Sequence, residues 1–343
     1  MRELATELLA GQEAWVVGGA VRDELLGREL VDLDIAVREP ESAARSYAKR
    51  SGGAPFPLSE RHGAWRVALD GGRTVDFTPF TGTIEEDLAT RDFTINAIAV
   101  PLASGEAVDP FAGRADLDAR LIRVVSPAVF TDDPLRLMRA VRLEDELGFG
   151  LEPETERLVR EHAALVTEPA RERTLAELVR LSVDGYRRAD EHGLLAPLEG
   201  SSAGLDRTAL VDRPAFRLVA VFGDALRRFP VSNETKRYAQ KLFNAQTPED
   251  SSPRSIHRFR RATEPWALDA LVFVGAPELE DDVLAARERE PAEPLLRGDE
   301  LGIPPGPEIG RLLELIAEER AAGAISSRED ALELVRREEA LSK

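Results

Sequence analysis

The chain has 343 residues, too long for one ordinary domain, so two to four packed units are expected. Hydrophobic residues make up 43%, enough for packed cores, which excludes a disordered chain. It has no cysteine, excluding a disulfide framework, a cysteine zinc site and a thiol nucleophile, and its net charge of −18 taken alone argues against a nucleic-acid partner.

Residues 2–10 read as a short helix, too charged for the apolar part of a secretory signal. No apolar run approaches the roughly 18 residues of a membrane span. The four histidines are scattered singly, so no histidine metal site is expected. These features point to a soluble protein of the cytoplasm that makes no membrane contact. Residues 14–17 and 31–37 are β-rich runs with a helical stretch between them. Residues 65–69 and 74–77 flank Asp70-Gly71-Gly72-Arg73, a strong hairpin signal. After about residue 115 the pattern turns to amphipathic helices, among them 134–147, 153–162 and 171–183. The expected class is α+β: a small mixed domain followed by a long helical region.

Charge is unevenly spread. Residues 213–261 hold eleven Lys/Arg against four Asp/Glu, whereas residues 264–343 hold nine against twenty. Ordinary solvated helix faces and a nucleic-acid surface both fit the basic stretch.

The stretch GGAVRDELLGRELVDLDIAV (18–37) is the most informative. In a strand, residues i and i+2 share a face, so Asp32 and Asp34 stand side by side while Leu33 and Ile35 point to the core. Adjacent carboxylates repel unless a cation lies between them. Hard oxygen ligands suit Mg²⁺, which also takes substrate phosphates. Gly18 and Gly19 let the backbone approach a polyphosphate, and Arg22 in the following helix is in reach of its oxygens. Asp76, in the strand Thr74-Val75-Asp76-Phe77, is either a third carboxylate of this group or a strand-edge charge.

With GGAVRD and DLDIA, the segments RDFTINAIA (91–99), DDPLRLMRAVR (132–142) and LGF (147–149) follow in order, and LLRGDELGIPPGPEIGRLLE (295–314) closes the series. Together they resemble the class II tRNA nucleotidyltransferases and the related bacterial poly(A) polymerases. The resemblance implies a nucleotidyltransferase-type head with a small mixed β-sheet (1–115), then an all-α neck (116–185), body (186–262) and tail (263–343). It implies addition of C and A to the 3′ end of tRNA from CTP and ATP, with Mg²⁺ on Asp32 and Asp34. It also matches Arg91, Asp92 and Asn96 to positions that meet the ribose and phosphates of the incoming nucleotide. Were that segment helical, Asp92 and Asn96 would share a face.

Pro134 suits a first helical turn, so Asp132 or Asp133 is expected to cap the helix after it. Asp133 and Arg136, three apart, can also approach one another. A carboxylate only accepts hydrogen bonds and a guanidinium only donates them, so the pair can read an amino group beside an unprotonated ring nitrogen. Cytosine and adenine present that pattern; uracil and guanine do not. In the resembling family these residues act as a protein template. Arg139 and Arg142 continue the face as phosphate or tRNA ligands, or as a plain basic ridge. Glu172, Arg173 and Glu177 match a charged neck-helix pattern and are read as mainly structural ion pairs holding neck to head. Asp132, where family members often carry glutamate, has a weaker supporting role. On this reading the basic stretch, with Arg217, Arg227, Arg228, Lys236, Arg237, Lys241, Arg254, Arg258, Arg260 and Arg261, is the candidate tRNA track.

Two departures from the family pattern matter. The loop before Ile84 is nearly absent, with Thr81 in place of an arginine; in the family a short loop goes with enzymes that add only CC, leaving the A to a separate enzyme. Thr90 replaces an arginine before Arg91. No His-Asp phosphohydrolase signature occurs in the C-terminal half. A poly(A) polymerase or A-adding enzyme, and an inert nucleotide- or RNA-binding module, are the other readings.

Overall fold

The computed structural model describes residues 1–59, 63–103, 105–291 and 293–341. The chain divides into two compact units, Met1–Glu199 and Gly200–Lys343. The division falls inside the segment 186–262 expected as the body.

Unit one opens with α1 (Arg2–Leu8), β1 (Ala14–Val17), α2 (Gly19–Leu25), β2 (Asp32–Val37) and α3 (Pro40–Ser51). Then come β3 (Ala54–Ser59), β4 (Ala64–Ala68), β5 (Thr74–Pro79), α4 (Ile84–Leu88) and β6 (Ala99–Pro101). They form one six-stranded sheet in the order β3-β4-β5-β2-β1-β6, in which β2 and β5 are parallel and the other pairs antiparallel. The sheet is mixed, as expected. The hairpin closes where the Asp-Gly-Gly-Arg turn predicts, with the Leu69 N–H donating to the Arg73 carbonyl. Strand β3 escaped the sequence reading because Pro55 and Pro57 argue against a strand. It lies at the sheet edge, where a missing N–H costs little.

The two sheet faces differ. Leu33, Ile35, Val75 and Phe77 are fully buried on one, and Tyr47 of α3 packs on Phe77 with ring centroids 5.8 Å apart. Each such side chain contributes roughly 1.5–3 kcal/mol by burial. On the other face Ala36 joins a core with Val17, Ile84, Leu88, Ala97 and Ala99. The same face of β2 carries Asp32, exposed, and Asp34, half-buried.

The rest of unit one is helical apart from the two-residue strands β7 (Leu121–Ile122) and β8 (Gly150–Leu151). Its helices are α5 (Gly113–Ala119), α6 (Val129–Asp132), α7 (Leu135–Leu147), α8 (Pro153–Glu161), α9 (Arg171–Leu178) and α10 (Val183–Glu191). The helix expected over 171–183 is broken into α9 and α10. Ser182 caps α10 by accepting from the Gly185 N–H, and Asp145 of α7 takes both the Ser182 N–H (2.7 Å) and its hydroxyl (2.5 Å).

Unit two contains α11 (Pro214–Phe222), α12 (Asn233–Phe243), α13 (Pro253–Thr263), α14 (Ala267–Val274), α15 (Glu280–Arg289), α16 (Pro307–Ala321) and α17 (Arg328–Leu341). Phe273 packs edge-on against Phe216 and Phe243, and Tyr238 against Trp266. Leu296, Leu301, Leu312, Ile316, Ala331 and Val335 form a second apolar cluster. Among the described residues no helix is long and apolar enough to cross a membrane.

Candidate active site

Strand geometry puts Asp32 and Asp34 on one face of β2, and the parallel register sets Asp34 opposite Asp76 of β5. Thr74 donates its hydroxyl to Asp32 Oδ1 at 2.7 Å. The Asp34 carboxyl is pushed up to about 6, first by burial and then by the Asp76 charge; Arg91 partly opposes this, and Asp32 adds to it. A carboxylate so placed gains from a nearby cation. The donor set is hard oxygen on one face, so Asp32 and Asp34 fit a divalent ion.

Asp76 is not a strand-edge charge, since β5 lies inside the sheet and Asp76 is buried; it is a third carboxylate on the same face, and it has a partner of its own. Arg66 of β4, in register with it, donates from Nε to Oδ1 and from Nη2 to Oδ2, both at 2.7 Å. Among the described residues no three His, Cys, Asp or Glu side chains are placed to hold one metal ion. Arg66 was missed from the sequence, although counting outward from the hairpin turn pairs 66 with 76.

The glycine turn abuts the carboxylates. Gly18 has φ +68°, and a Cβ there would lie 3.4 Å from Asp34 Oδ2 and 3.6 Å from Arg91 Nη1. Those are ordinary van der Waals contacts, so it is the left-handed φ that favours glycine here. Arg22 is buried and donates to Asn96 Oδ1 (2.9 Å) and to both Asp23 oxygens. Arg91 is paired with Asp87 at 2.7 Å.

Residues 91–99 are not an α-helix. A short 3₁₀ turn, Thr94–Asn96, brings Asn96 Nδ2 to Asp92 Oδ1 at 3.0 Å all the same. Arg139 of α7 grips Asp92 Oδ2 from Nε (2.8 Å) and Nη2 (2.7 Å). Burial alone would raise the Asp92 carboxyl. The Arg139 charge and the hydrogen bonds from Asn96, Arg139 and the Phe93 N–H outweigh it and hold the group below its ordinary range. Arg139 is thus an ion-pair partner rather than a plain solvated ridge.

Asp132 ends α6, and Asp133 lies between α6 and α7. Asp133 Oδ1 accepts from the Leu135 N–H, so the expected capping belongs to Asp133. Its Oδ2 accepts from Arg173 of α9 at 2.9 Å, not from Arg136. Arg136 donates instead to the Thr90 and Arg91 carbonyls, at 2.8 and 3.3 Å. Each group still has lone pairs or N–H donors to spare, and both are half-buried. Arg142 is buried between Glu177 and Glu146, which makes it a structural pair and removes it from the phosphate ligands. Glu172 is exposed on α9.

The basic stretch divides in two. Arg254, Arg258 and Arg261 of α13 pair with Glu319, Glu318 and Glu314 of α16, and buried Arg260 pairs with Glu264 and Glu290. Arg217 pairs with Asp212, and Lys241 Nζ donates to the Ala262 carbonyl. The C-terminal half of the stretch expected as the tRNA track is thus matched by carboxylates of the acidic segment beyond it. Arg227, Arg228, Lys236 and Arg237 are exposed, as Arg254, Arg258 and Arg261 are, and Arg227 pairs with Asp224 of its own turn at 3.2 Å. Arg227 and Lys236 flank a cleft of about 340 Å³ that Leu226, Val231, Ala239 and Phe243 also line.

Residues 14–80 and 64–123 match the model of the poly A polymerase head domain. A CC-adding tRNA nucleotidyltransferase of Geobacter sulfurreducens is 47% identical over 50% of this chain and 40% of that protein. A CC-adding tRNA nucleotidyltransferase of Thermus thermophilus is 33% identical over 93% of this chain and 92% of its own. An A-adding tRNA nucleotidyltransferase of Deinococcus radiodurans is 32% identical over 94% and 95%. The fold is that of the Thermotoga maritima CCA-adding enzyme complexed with tRNA, with a TM-score of 0.76 at 24% identity over 98% of this chain and 94% of that one. With identities of this order over nearly the full length of two relatives, and a head built around a paired-aspartate strand, the chain belongs to the tRNA nucleotidyltransferase family and is a nucleotide-transferring enzyme.

Proposed function

We propose that this chain adds the two cytidines of the CCA end to tRNA in the cytoplasm, using CTP and Mg²⁺, and leaves the terminal A to a separate ATP-using enzyme. The family generally uses a divalent metal. The observation that carries the CC reading is the connection between β5 and α4, which is only residues 80–83. A capping box pins its end: Thr83 accepts from the Glu86 N–H, and Glu86 accepts from the Thr83 N–H at 2.9 Å. There is no length here for a flexible loop that could reset the site for ATP. Two relatives named CC-adding support the same reading.

The 3′-hydroxyl of tRNA attacks the α-phosphorus of the nucleotide, and pyrophosphate leaves as the new ester forms. Asp32 and Asp34 would hold a divalent ion, which would supply charge neutralisation at the reacting oxygens. Arg91, and Arg22 on exchanging Asn96 for substrate, bind phosphate oxygens. Asp92 and Asn96 meet the ribose. Asp133 accepts from the exocyclic amino group while Arg136 donates to the ring nitrogen. Arg173 and the Thr90 and Arg91 carbonyls hold these two side chains in place. Head (1–115), neck (116–185), body (186–262) and tail (263–343) are the working parts, with Arg227, Arg228, Lys236 and Arg237 on the tRNA backbone.

The test is extension of a tRNA lacking its last three nucleotides. With CTP alone the product grows by two nucleotides, and adding ATP does not lengthen it. Efficient addition of the third nucleotide overturns the CC reading.

A further inference from the structure

The carboxylate face holds an arginine that neither the sequence reading nor the proposed reaction uses. Asp76 lies in parallel register with Asp34, so its side chain projects from the same sheet face one strand away. That is where a third ligand to a cation on Asp32 and Asp34 would come from. Both Asp76 oxygens are taken by the forked guanidinium of Arg66, whose own register on β4 puts it directly opposite. The Arg66 guanidinium is held above its ordinary value chiefly by this hydrogen bond to Asp76. Burial opposes the shift, and the charges of Asp32 and Asp34 add to it. Arg66 therefore sits in the field of all three carboxylates.

Resting on the reading that Asp32 and Asp34 hold a divalent ion, we propose that Arg66 keeps Asp76 out of the ligand set and so holds the site to two carboxylates with a weak grip on a free cation. Affinity of oxygen sites rises with the number of charged ligands. Two carboxylates leave most coordination positions to water and to the triphosphate, so the cation is retained well only when nucleotide brings further oxygens. Released from Arg66, Asp76 turns a dianionic site into a trianionic one. Arg66 is a positioning residue: it acts through Asp76.

The experiment is Mn²⁺ binding to the full chain without nucleotide, followed by electron paramagnetic resonance, with folding checked by circular dichroism. Arg66→Met is expected to lower the Mn²⁺ Kd about three- to tenfold, as a third charged ligand should. Arg66→Gln, of similar reach and polar, is expected to act in the same direction and serves if the methionine variant does not fold. Adding Asp76→Asn to either is expected to return the Kd to within about twofold of the parent. Unchanged or weaker Mn²⁺ binding in both Arg66 variants overturns the proposal, as does a double variant that stays as tight as the single. Asp32→Asn with Asp34→Asn separates the two levels. Loss of Mn²⁺ binding there keeps the metal reading, so that a flat Arg66 result counts against Arg66 alone; retained binding overturns the metal reading itself.

Discussion

Strands β2 and β5 of the first unit and helices α13 and α16 of the second treat charge in opposite ways. The strand pair gathers like charges: Asp32, Asp34 and Asp76 share a face, and one guanidinium clamps one of the three. The helix pair matches opposite charges, with Arg254, Arg258 and Arg261 answered by Glu319, Glu318 and Glu314. Repulsion left standing inside a fold costs stability, so the strand pair is the place that gains from a bound cation. Complementary charges facing each other ask for no ligand. The proposed chemistry lies at the strand pair, and neither the net charge of −18 nor the basic stretch points to it.

The sharpest way to test this contrast is Asp34→Asn. Transfer is expected to fall on the order of a thousandfold, since a neutral amide cannot replace a charged metal ligand. Stability of the metal-free protein is expected to rise. The Asp34 carboxyl, ordinarily near 3.8, is raised to about 6 by burial first and the Asp76 charge second. Its folded form therefore binds a proton more tightly than its unfolded form, and the native state loses stability as pH rises from about 4 through 6. Asparagine carries no such loss. In urea melts with EDTA the variant should match the parent near pH 4 and exceed it by about 2 kcal/mol at pH 7, after discounting for partial exposure. Saturating Mg²⁺ should close that gap by stabilising the parent alone. A variant that is inactive and also less stable at pH 7 would mean that the carboxylate cluster is not strained in the absence of metal.

A second test asks whether matched charges matter more once buried. Arg142 and Glu177 join α7 to α9 with both side chains nearly out of solvent, and Glu146 holds the other side of the guanidinium. Glu177→Ala leaves a buried cation short of one partner and is expected to destabilise unit one by about 3 kcal/mol. Glu177→Gln, which keeps an acceptor, should cost less. Both should retain base selectivity, because Asp133 and Arg136 have other supports.

How far the site was legible follows the same division. Local patterns were readable: the two aspartates on one strand face, the hairpin turn, and the cap role of the 132–133 pair depend on residues a few positions apart. That Asp92 and Asn96 come to one side was expected of a helix, and a 3₁₀ turn does it instead. Long-range pairings were not readable, because nothing local marks them. Arg173 rather than Arg136 holds Asp133 across 40 residues, and Arg139 reaches Asp92 across 47. The break at Ser182 rests on Asp145 of a different helix. The pairing of the basic stretch was not readable for the same reason: its partners on α16 lie more than 50 residues further on.

The smallest effect comes from the exposed helix pair, and it tests the comparison from the other side. Arg254 and Glu319 meet through two hydrogen bonds, at 2.9 and 2.8 Å, on the surface of α13 and α16. Salt and side-chain entropy take most of the value of such a pair. Arg254→Glu should lower the melting temperature slightly, and Glu319→Arg added to it should restore it, because the swap rebuilds the same pair in reverse. Binding of tRNA, and its dependence on salt, should not change in either variant if the arginine is committed to its own chain. Lys236→Glu with Arg237→Glu should weaken tRNA binding and flatten the slope of log K against log salt, since a phosphate no longer neutralised by the protein keeps its condensed counterion. Equal slopes for the two pairs of variants would show that α13 and α12 face the nucleic acid alike, and that internal neutralisation does not decide which arginines bind it.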